Sequence, residues 1–309
     1  MPDIVIPEFM DEAAVAALAR RFDVRYDPDL VDDPAALAAA AAEARALIVR
    51  NRTQVRGALL DGAARLACVG RLGVGLDNID TQACAARGIA VYPATGANDQ
   101  SVAEYVVTAA LMLLRGAYLA RDAVAAGAWP RQRLIGREIA GKTLGLVGFG
   151  AIARQVAWRG AALGMQVVAH DPHLKATDPA WEMARNVSLD GLLEVADVVS
   201  LHVPLTEGTR HMIDGARLAA MKPGAVLVNA ARGGVVDDDA LARALREGRL
   251  GGAALDVFEA EPLSAEAGGA FAGLDNCVLT PHIAGVTEES NGRVSRLIAE
   301  RVATHLEAA

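Results

Sequence analysis

Residues 144–153 read "LGLVGFGAIA", a glycine-rich turn near the centre of a 309-residue chain. Gly148, Gly150 and Ala153 give the spacing G-x-G-x-x-A. The first glycine permits a tight strand-to-helix turn, and the second lets backbone approach a pyrophosphate. The third position needs only a small residue where helix packs on strand, and Ala153 meets that requirement. A pyrophosphate there sits over free N–H groups at the positive end of a helix. Alone the pattern is weak, because glycine turns without ligands are common. Its surroundings strengthen it. The apolar strand "TLGLV" precedes the turn, and a helix follows with Ile152, Val156, Gly160 and Leu163 on one side. A second strand, "QVVAH", then ends at Asp171. An acid at that place accepts the ribose hydroxyls of NAD and repels the 2′-phosphate of NADP. The plainer reading of Asp171 is a solvated turn residue before Pro172. With all the parts in order, the stretch predicts a dinucleotide site for NAD.

Outward from the turn, strands alternate with helices in both directions. Downstream lie "DVVSLH", "AVLVNA" and "GAALDV"; upstream lie "DIVIPE", "DVRYD", "ALIVR", "LACVG" and "IAVYP". Such alternation implies βαβ units and parallel sheets. The Ala-rich run at 35–44 follows Pro34 and reads as an ordinary helix. Ser101 and Glu104 have capping-box spacing and predict a long helix starting at "SVAE". Residues 287–308 carry apolar positions at three- and four-residue spacing and predict a closing helix. There are thus two α/β blocks, and the glycine turn opens the second.

Composition narrows the function classes. Hydrophobic residues make up 53%, charged residues 22%, and the formal charge is −8. An acidic chain without Lys/Arg blocks is not expected to bind nucleic acid, whose phosphates need a basic face. The opening "MPDIVIPEFMDE" lacks a basic leader, and "YVVTAALMLL" (105–114) is too short to span a bilayer. Three dispersed cysteines point to reduced thiols. The expectation is a soluble cytoplasmic protein with no membrane partner. No metal site is expected: His170 and His173 lack a third ligand at a recognisable spacing, and His202, His211 and His305 are isolated.

Three later stretches fall at strand ends, where open α/β sheets bind ligands. They are "VNAARGGVVDDDAL" (228–241), "ALDVFEAEP" (254–262) and "LTPHIAGVTEES" (279–290). Taken singly, Arg232 reads equally as a surface charge, Glu261 as a solvated loop acid, and His282 as a histidine bonded to backbone. The three acids at 237–239 read as a cap for the next helix.

Together with "GVGLDNID" (73–80), "SVAEYVV" (101–107) and "GKTLGLVGFGAIA" (141–153), these stretches resemble the D-isomer-specific 2-hydroxyacid dehydrogenase family, its phosphoglycerate dehydrogenase branch above all. The resemblance covers nearly the whole chain. It implies two doubly wound parallel-sheet domains, a Rossmann NAD domain (98–285) inserted into a flavodoxin-like substrate domain (1–97 plus 286–309). It implies that His282 exchanges the hydroxyl proton as hydride passes between C2 and the nicotinamide, with Glu261 as its paired carboxylate. A carboxylate beside an imidazole favours the imidazolium. Arg232 is implied to bind the substrate carboxylate and polarise the carbonyl, and Val74 and Gly75 to offer backbone N–H groups to the same carboxylate. Asp256 is implied to orient the nicotinamide amide. Further cofactor contacts are implied at Ala151, Ile152, His202, Pro204, Ala230 and Gly285. A homodimer built through the stretch around Trp129 follows, as do hinges near 95–100 and 284–288. The stretch "TGAND" (95–99) departs from the common Gly-Asn, so no role passes to Ala97 and only a weak one to Asn98.

For the substrate, "VRNRTQV" (49–55) places Arg50 and Arg52 after a first-domain strand. They are expected to bind an anionic group on C3, unless surface acids pair with them. The opening "EFMDEAAVAALA" is similar to sulfolactate-oxidising members, and the regulatory extension of many phosphoglycerate dehydrogenases is taken to be absent. The expected substrate is therefore 3-sulfolactate or 3-phosphoglycerate, with glycerate or hydroxypyruvate (glyoxylate) as alternative. An NAD-sensing binding module without turnover is the reading from another class.

Overall fold

The computed structural model describes residues 2–308. It divides into two units, Met1–Asn98 with Val286–Ala309, and Asp99–Gly285. Asn98 thus falls in the first unit, one residue away from the expected division.

The first unit holds β1 (Ile4–Ile6), β2 (Val24–Tyr26), β3 (Ala46–Val49), β4 (Cys68–Arg71) and β5 (Ala90–Pro93). They form one sheet in the order β2-β1-β3-β4-β5, and every pair is parallel. This is the flavodoxin-like order, whose switch point lies between β1 and β3. The central strands "IVI" and "ALIV" are apolar at every position because both faces of a parallel sheet are covered. Ile4, Ile6 and Ile48 pack with Val294, Ile298 and Val302 of the helix Glu288–Ala308. Val5, Leu47 and Val49 turn to the opposite side, against Leu37, Ala41 and Leu60. Gly70 on β4 lets the closing helix approach, since a Cβ there would lie 2.5 Å from Ile298 Cγ2. The end of the chain therefore completes the core of its beginning.

The second unit holds β6 (Thr143–Val147), β7 (Gln166–His170), β8 (Arg185–Asn186), β9 (Val198–Leu201), β10 (Val226–Asn229), β11 (Gly252–Leu255) and β12 (Cys277–Leu279). The order is β12-β11-β10-β9-β6-β7-β8. Counted from β6, the order reads 3-2-1-4-5-6 with one further edge strand, so the unit is a Rossmann sheet. Its switch point lies between β6 and β9.

One expected boundary is corrected. The long helix runs Asp99–Arg115, and Ser101 is buried within its first turn rather than standing before it. Asp99 supplies a negative charge to that turn, where the helix dipole favours it. By contrast, Asp33 caps the helix behind Pro34, and Asp237 caps the helix Asp238–Arg246 by accepting from Ala240 N–H.

Candidate active site

The glycine turn follows β6 directly. Gly148 has φ 85°, and a Cβ on it would meet the His202 carbonyl oxygen at 2.5 Å. His202 N–H donates in turn to the Val147 carbonyl at 2.7 Å, so the ends of β6 and β9 are laced together at the switch point. A Cβ on Gly150 would project into open space, which leaves room above the helix Ala151–Ala162. No side chain caps that helix, so the N–H groups at Ala151 and Ile152 face outward from its positive end. Asp171 is held by two backbone donors, Phe149 N–H on Oδ2 and His173 N–H on Oδ1, both at 2.9 Å. A carboxylate has about four acceptor positions, so both oxygens retain capacity for ribose hydroxyls. Open glycine, free helix N–H groups and a fixed acid are a donor and acceptor set that fits NAD. His202 and Pro204 follow β9, with His202 Nε2 3.0 Å from Ser200 Oγ. Burial pushes the His202 imidazole down to about 4, so it is neutral at neutral pH. Ala230 follows β10, and Gly285 closes the loop that carries His282.

The three candidate catalytic side chains lie on loops after β10, β11 and β12. His282 Nδ1 is 2.6 Å from Glu261 Oε2, and Phe258 N–H donates to Glu261 Oε1 at 3.1 Å. Burial works against the Glu261 carboxylate. The His282 hydrogen bond and charge, the Phe258 N–H and the Arg232 charge outweigh it and hold the carboxyl below its usual range. Arg232 is set by its backbone: Asn229 Nδ2 donates to the Arg232 carbonyl at 2.9 Å, and Ala231 N–H to Asn229 Oδ1 at 3.1 Å. Asn229 is the buried last residue of β10, so the strand end fixes the backbone from which the arginine springs, and Arg232 Nη1 donates to the Ala231 carbonyl at 2.5 Å. Gly233 brings this loop against the Glu261 loop, for a Cβ there would sit 1.7 Å from the Phe258 carbonyl oxygen.

A group whose folded pKa is lowered adds stability above its unfolded pKa and loses it as pH falls through the folded value. Wild-type melting temperature is therefore expected to fall more steeply than that of Glu261→Gln between about pH 5 and about pH 3. Parallel melting curves in that window would remove the ion pair from the stability of this loop.

Asp256, at the end of β11, is 1% exposed. Its Oδ1 accepts from Thr280 Oγ1 at 2.6 Å and Ile283 N–H at 2.8 Å, and its Oδ2 from Ala284 N–H at 2.8 Å. Its carbonyl accepts His282 N–H at 2.8 Å. Because the Thr280 hydroxyl donates to the carboxylate, Tyr105 Oη, 2.6 Å from Thr280 Oγ1, is the donor to it. His282 itself sits at φ 53°, a strained value for a non-glycine residue that the surrounding bonds must maintain. Neither Thr280 nor Tyr105 is legible as a site residue in the sequence, since hydroxyls in a strand end and a helix carry no spacing signal.

In the first unit, Val74 and Gly75 follow β4, and their N–H groups meet no acceptor among the described residues. Arg71, whose place no sequence motif marks, folds its guanidinium over Gly73 beside them. The two arginines after β3 part company. Arg52 pairs with Asp32 on an exposed surface. Arg50 lies over the Phe9 ring at 5.6 Å and donates to Asn291 Oδ1 at 2.6 Å, a neutral partner.

The chain is similar to known proteins over most of its length. Residues 107–284 match the model of the D-isomer specific 2-hydroxyacid dehydrogenase NAD binding domain. The chain is 59% identical over 303 residues to (S)-sulfolactate dehydrogenase of Chromohalobacter salexigens, covering 98% of this chain and 97% of that protein. It is 42% identical over 262 residues to hydroxypyruvate reductase of Thermotoga maritima, covering 84% of each. The crystal structure of D-lactate dehydrogenase from Aquifex aeolicus, complexed with NAD and lactic acid, superposes with a TM-score of 0.88 at 30% identity, over 99% of this chain and 96% of that one.

Proposed function

The chain belongs to the D-isomer-specific 2-hydroxyacid dehydrogenases, NAD-dependent enzymes, and from that footing we propose that it oxidises 3-sulfolactate at C2. The observation that carries the substrate is Arg50, a half-buried guanidinium bonded to an amide rather than a carboxylate, in a chain 59% identical to a sulfolactate dehydrogenase. The (S) descriptor agrees with D-type geometry, because CH₂SO₃⁻ outranks carboxylate where the methyl of lactate does not. In this reading Arg50 takes the sulfonate, and Arg52 keeps its surface pair with Asp32.

NAD, when bound, would supply the hydride acceptor for C2. This chain's residues do the rest. With Nδ1 committed to Glu261, His282 presents Nε2 to the substrate hydroxyl and takes its proton as the C2–H bond breaks. The Glu261 carboxylate stabilises the imidazolium that forms. Arg232 binds the C1 carboxylate and polarises the developing carbonyl, tasks that suit a planar fork of donors. Val74 and Gly75 offer N–H groups to the carboxylate. The N–H groups of Ala151 and Ile152 would hold the pyrophosphate, and Asp171 the ribose hydroxyls. His202, Pro204, Ala230 and Gly285 would line the remainder of the cofactor.

The test is NADH absorbance with 3-sulfolactate, 3-phosphoglycerate, glycerate and lactate in both isomers. A preference for 3-sulfolactate with NAD is expected. Preference for glycerate or hydroxypyruvate would instead favour the reading carried by the Thermotoga maritima relative. Asp171→Ala is expected to weaken NAD binding and to relax discrimination against NADP by about an order of magnitude. Unchanged cofactor preference would remove Asp171 from the ribose.

A homodimer is part of the proposal. Tyr118, Trp129 and Ile135 are 66%, 77% and 74% exposed, more apolar surface than one short segment ordinarily shows to water. A second copy of the chain is the expected cover. Sedimentation of Trp129→Asp/Ile135→Asp should then give monomer where wild type gives dimer, and a monomeric wild type would end the idea. A cytoplasmic location completes the reading. It draws on the three free thiols and on the finding that no described helix is long and apolar enough to cross a membrane.

A further inference from the structure

At the β1/β3 switch point of the first unit, a buried carboxylate joins the two loops that meet there. Glu8, two residues past β1, is 4% exposed. Its Oε1 accepts the N–H of Arg50 at 2.9 Å and of Thr53 at 3.0 Å. Its Oε2 accepts the N–H of Asn51 at 3.2 Å and of Arg52 at 3.0 Å. From the other side, Asn78 Nδ2 donates to the carbonyls of Arg50 at 3.1 Å and Thr53 at 2.7 Å. Successive N–H groups converging in this way make an anion-binding nest. Open sheets bind ligands at such a switch point, yet here the chain fills the nest with its own carboxylate. What remains for a ligand is the Arg50 side chain, laid over Phe9 and tied to Asn291.

We infer that Glu8 is a positioning residue for substrate selection: it fixes the Arg50–Thr53 backbone so that Arg50 is held ready for the second anion of the substrate. The inference rests on the proposed role of Arg50. Glu8 does not touch substrate. An arginine on an unpinned loop would have to surrender loop and rotamer freedom on each binding event, whereas a pinned one has already done so. A carboxylate suits the task because it has only acceptors, enough for all four N–H groups. A glutamine would turn its own NH₂ toward two of them. The Glu8 charge has a second effect: burial lowers the Arg50 guanidinium, and the neighbouring carboxylate counters that.

The experiment compares Glu8→Gln, Glu8→Asp and Arg50→Met with wild type. For each, kcat and KM are measured for 3-sulfolactate and for glycerate at saturating NAD, alongside the melting temperature. Glu8→Gln is expected to raise KM for 3-sulfolactate by about tenfold, with kcat and KM for glycerate within about twofold of wild type. Glu8→Asp, one methylene short of the nest, should fall between, and it carries the test if the glutamine variant does not fold. Equal losses on both substrates, or none, would overturn the inference, because a residue that only stabilises the fold lowers the active fraction for both alike. If Arg50→Met abolishes the selectivity and the Glu8 variants keep it, the inference alone falls. If Arg50→Met leaves selectivity unchanged, the reading of Arg50 falls and the inference with it.

Discussion

His282→Ala is expected to lower kcat by about 10²–10⁴-fold, the range for a positioned acid/base group, while the Kd for NAD stays within about twofold. The expectation comes from the geometry of one side chain. Nδ1 is spent on Glu261 at 2.6 Å, so the ring is turned and only Nε2 is left to exchange a proton with substrate. Nothing in the pyrophosphate or ribose cradle involves the imidazole, so cofactor affinity has no reason to follow the loss. His282→Asn should be nearly as poor, since an amide fills the space without carrying the proton. Glu261→Gln separates the two functions of the pair. It retains a hydrogen-bonding partner for Nδ1 but not the charge that stabilises imidazolium, so its loss should be smaller and should depend on pH. Single-turnover hydride transfer checks these values free of product release. A His282→Ala enzyme turning over near the wild-type rate would take the histidine out of the mechanism.

How much of this was legible beforehand differs by residue. The glycine turn was, because each of its positions answers to a steric demand that a sequence displays; Gly148 against the His202 carbonyl is that demand in atoms. The two-block organisation was as well, since strands buried on both faces are apolar at every position. β8 was not legible, being two exposed polar residues, Arg185 and Asn186, on a sheet edge. Ser101 misled because a capping-box spacing is met by chance inside a helix that Asp99 already begins. Arg50 and Arg52 looked alike because their difference is set by Asp32, Phe9 and Asn291, which lie far off in the chain. Glu8 was least legible of all. Its partners are backbone N–H groups, which every residue but proline has, so no residue type in "RNRT" announces that a carboxylate is needed.

Asp256 yields the other large prediction, because the structure gives it work besides the orientation of the nicotinamide amide that the family resemblance implies. Its buried carboxylate takes the Thr280 hydroxyl, two residues before His282, and the N–H groups of Ile283 and Ala284, the two residues after it. Asp256→Ala would strand the buried Ala284 N–H, at about 1–3 kcal/mol, and leave the part-buried Ile283 N–H without its acceptor at a smaller cost. The Thr280 hydroxyl would be left with Tyr105 alone. The loop is held with His282 at φ 53°, a conformation that relaxes once its bonds are gone. Stability is therefore expected to fall by about 1–4 kcal/mol, and kcat by at least about 10²-fold, as His282 loses its register with Glu261. Asp256→Asn should lie between, since its amide keeps one acceptor oxygen and turns two donors toward donors. Thr280→Val should cost less than either, and Tyr105→Phe least, because each step along the chain removes one bond further from the histidine. If orienting the nicotinamide were the whole role of Asp256, the variants would raise KM for NAD and leave the melting temperature alone. A melting temperature that falls in the order Ala, Asn, then Thr280→Val and Tyr105→Phe, with NAD affinity changing less than kcat, is the result that makes this carboxylate the support of the catalytic loop.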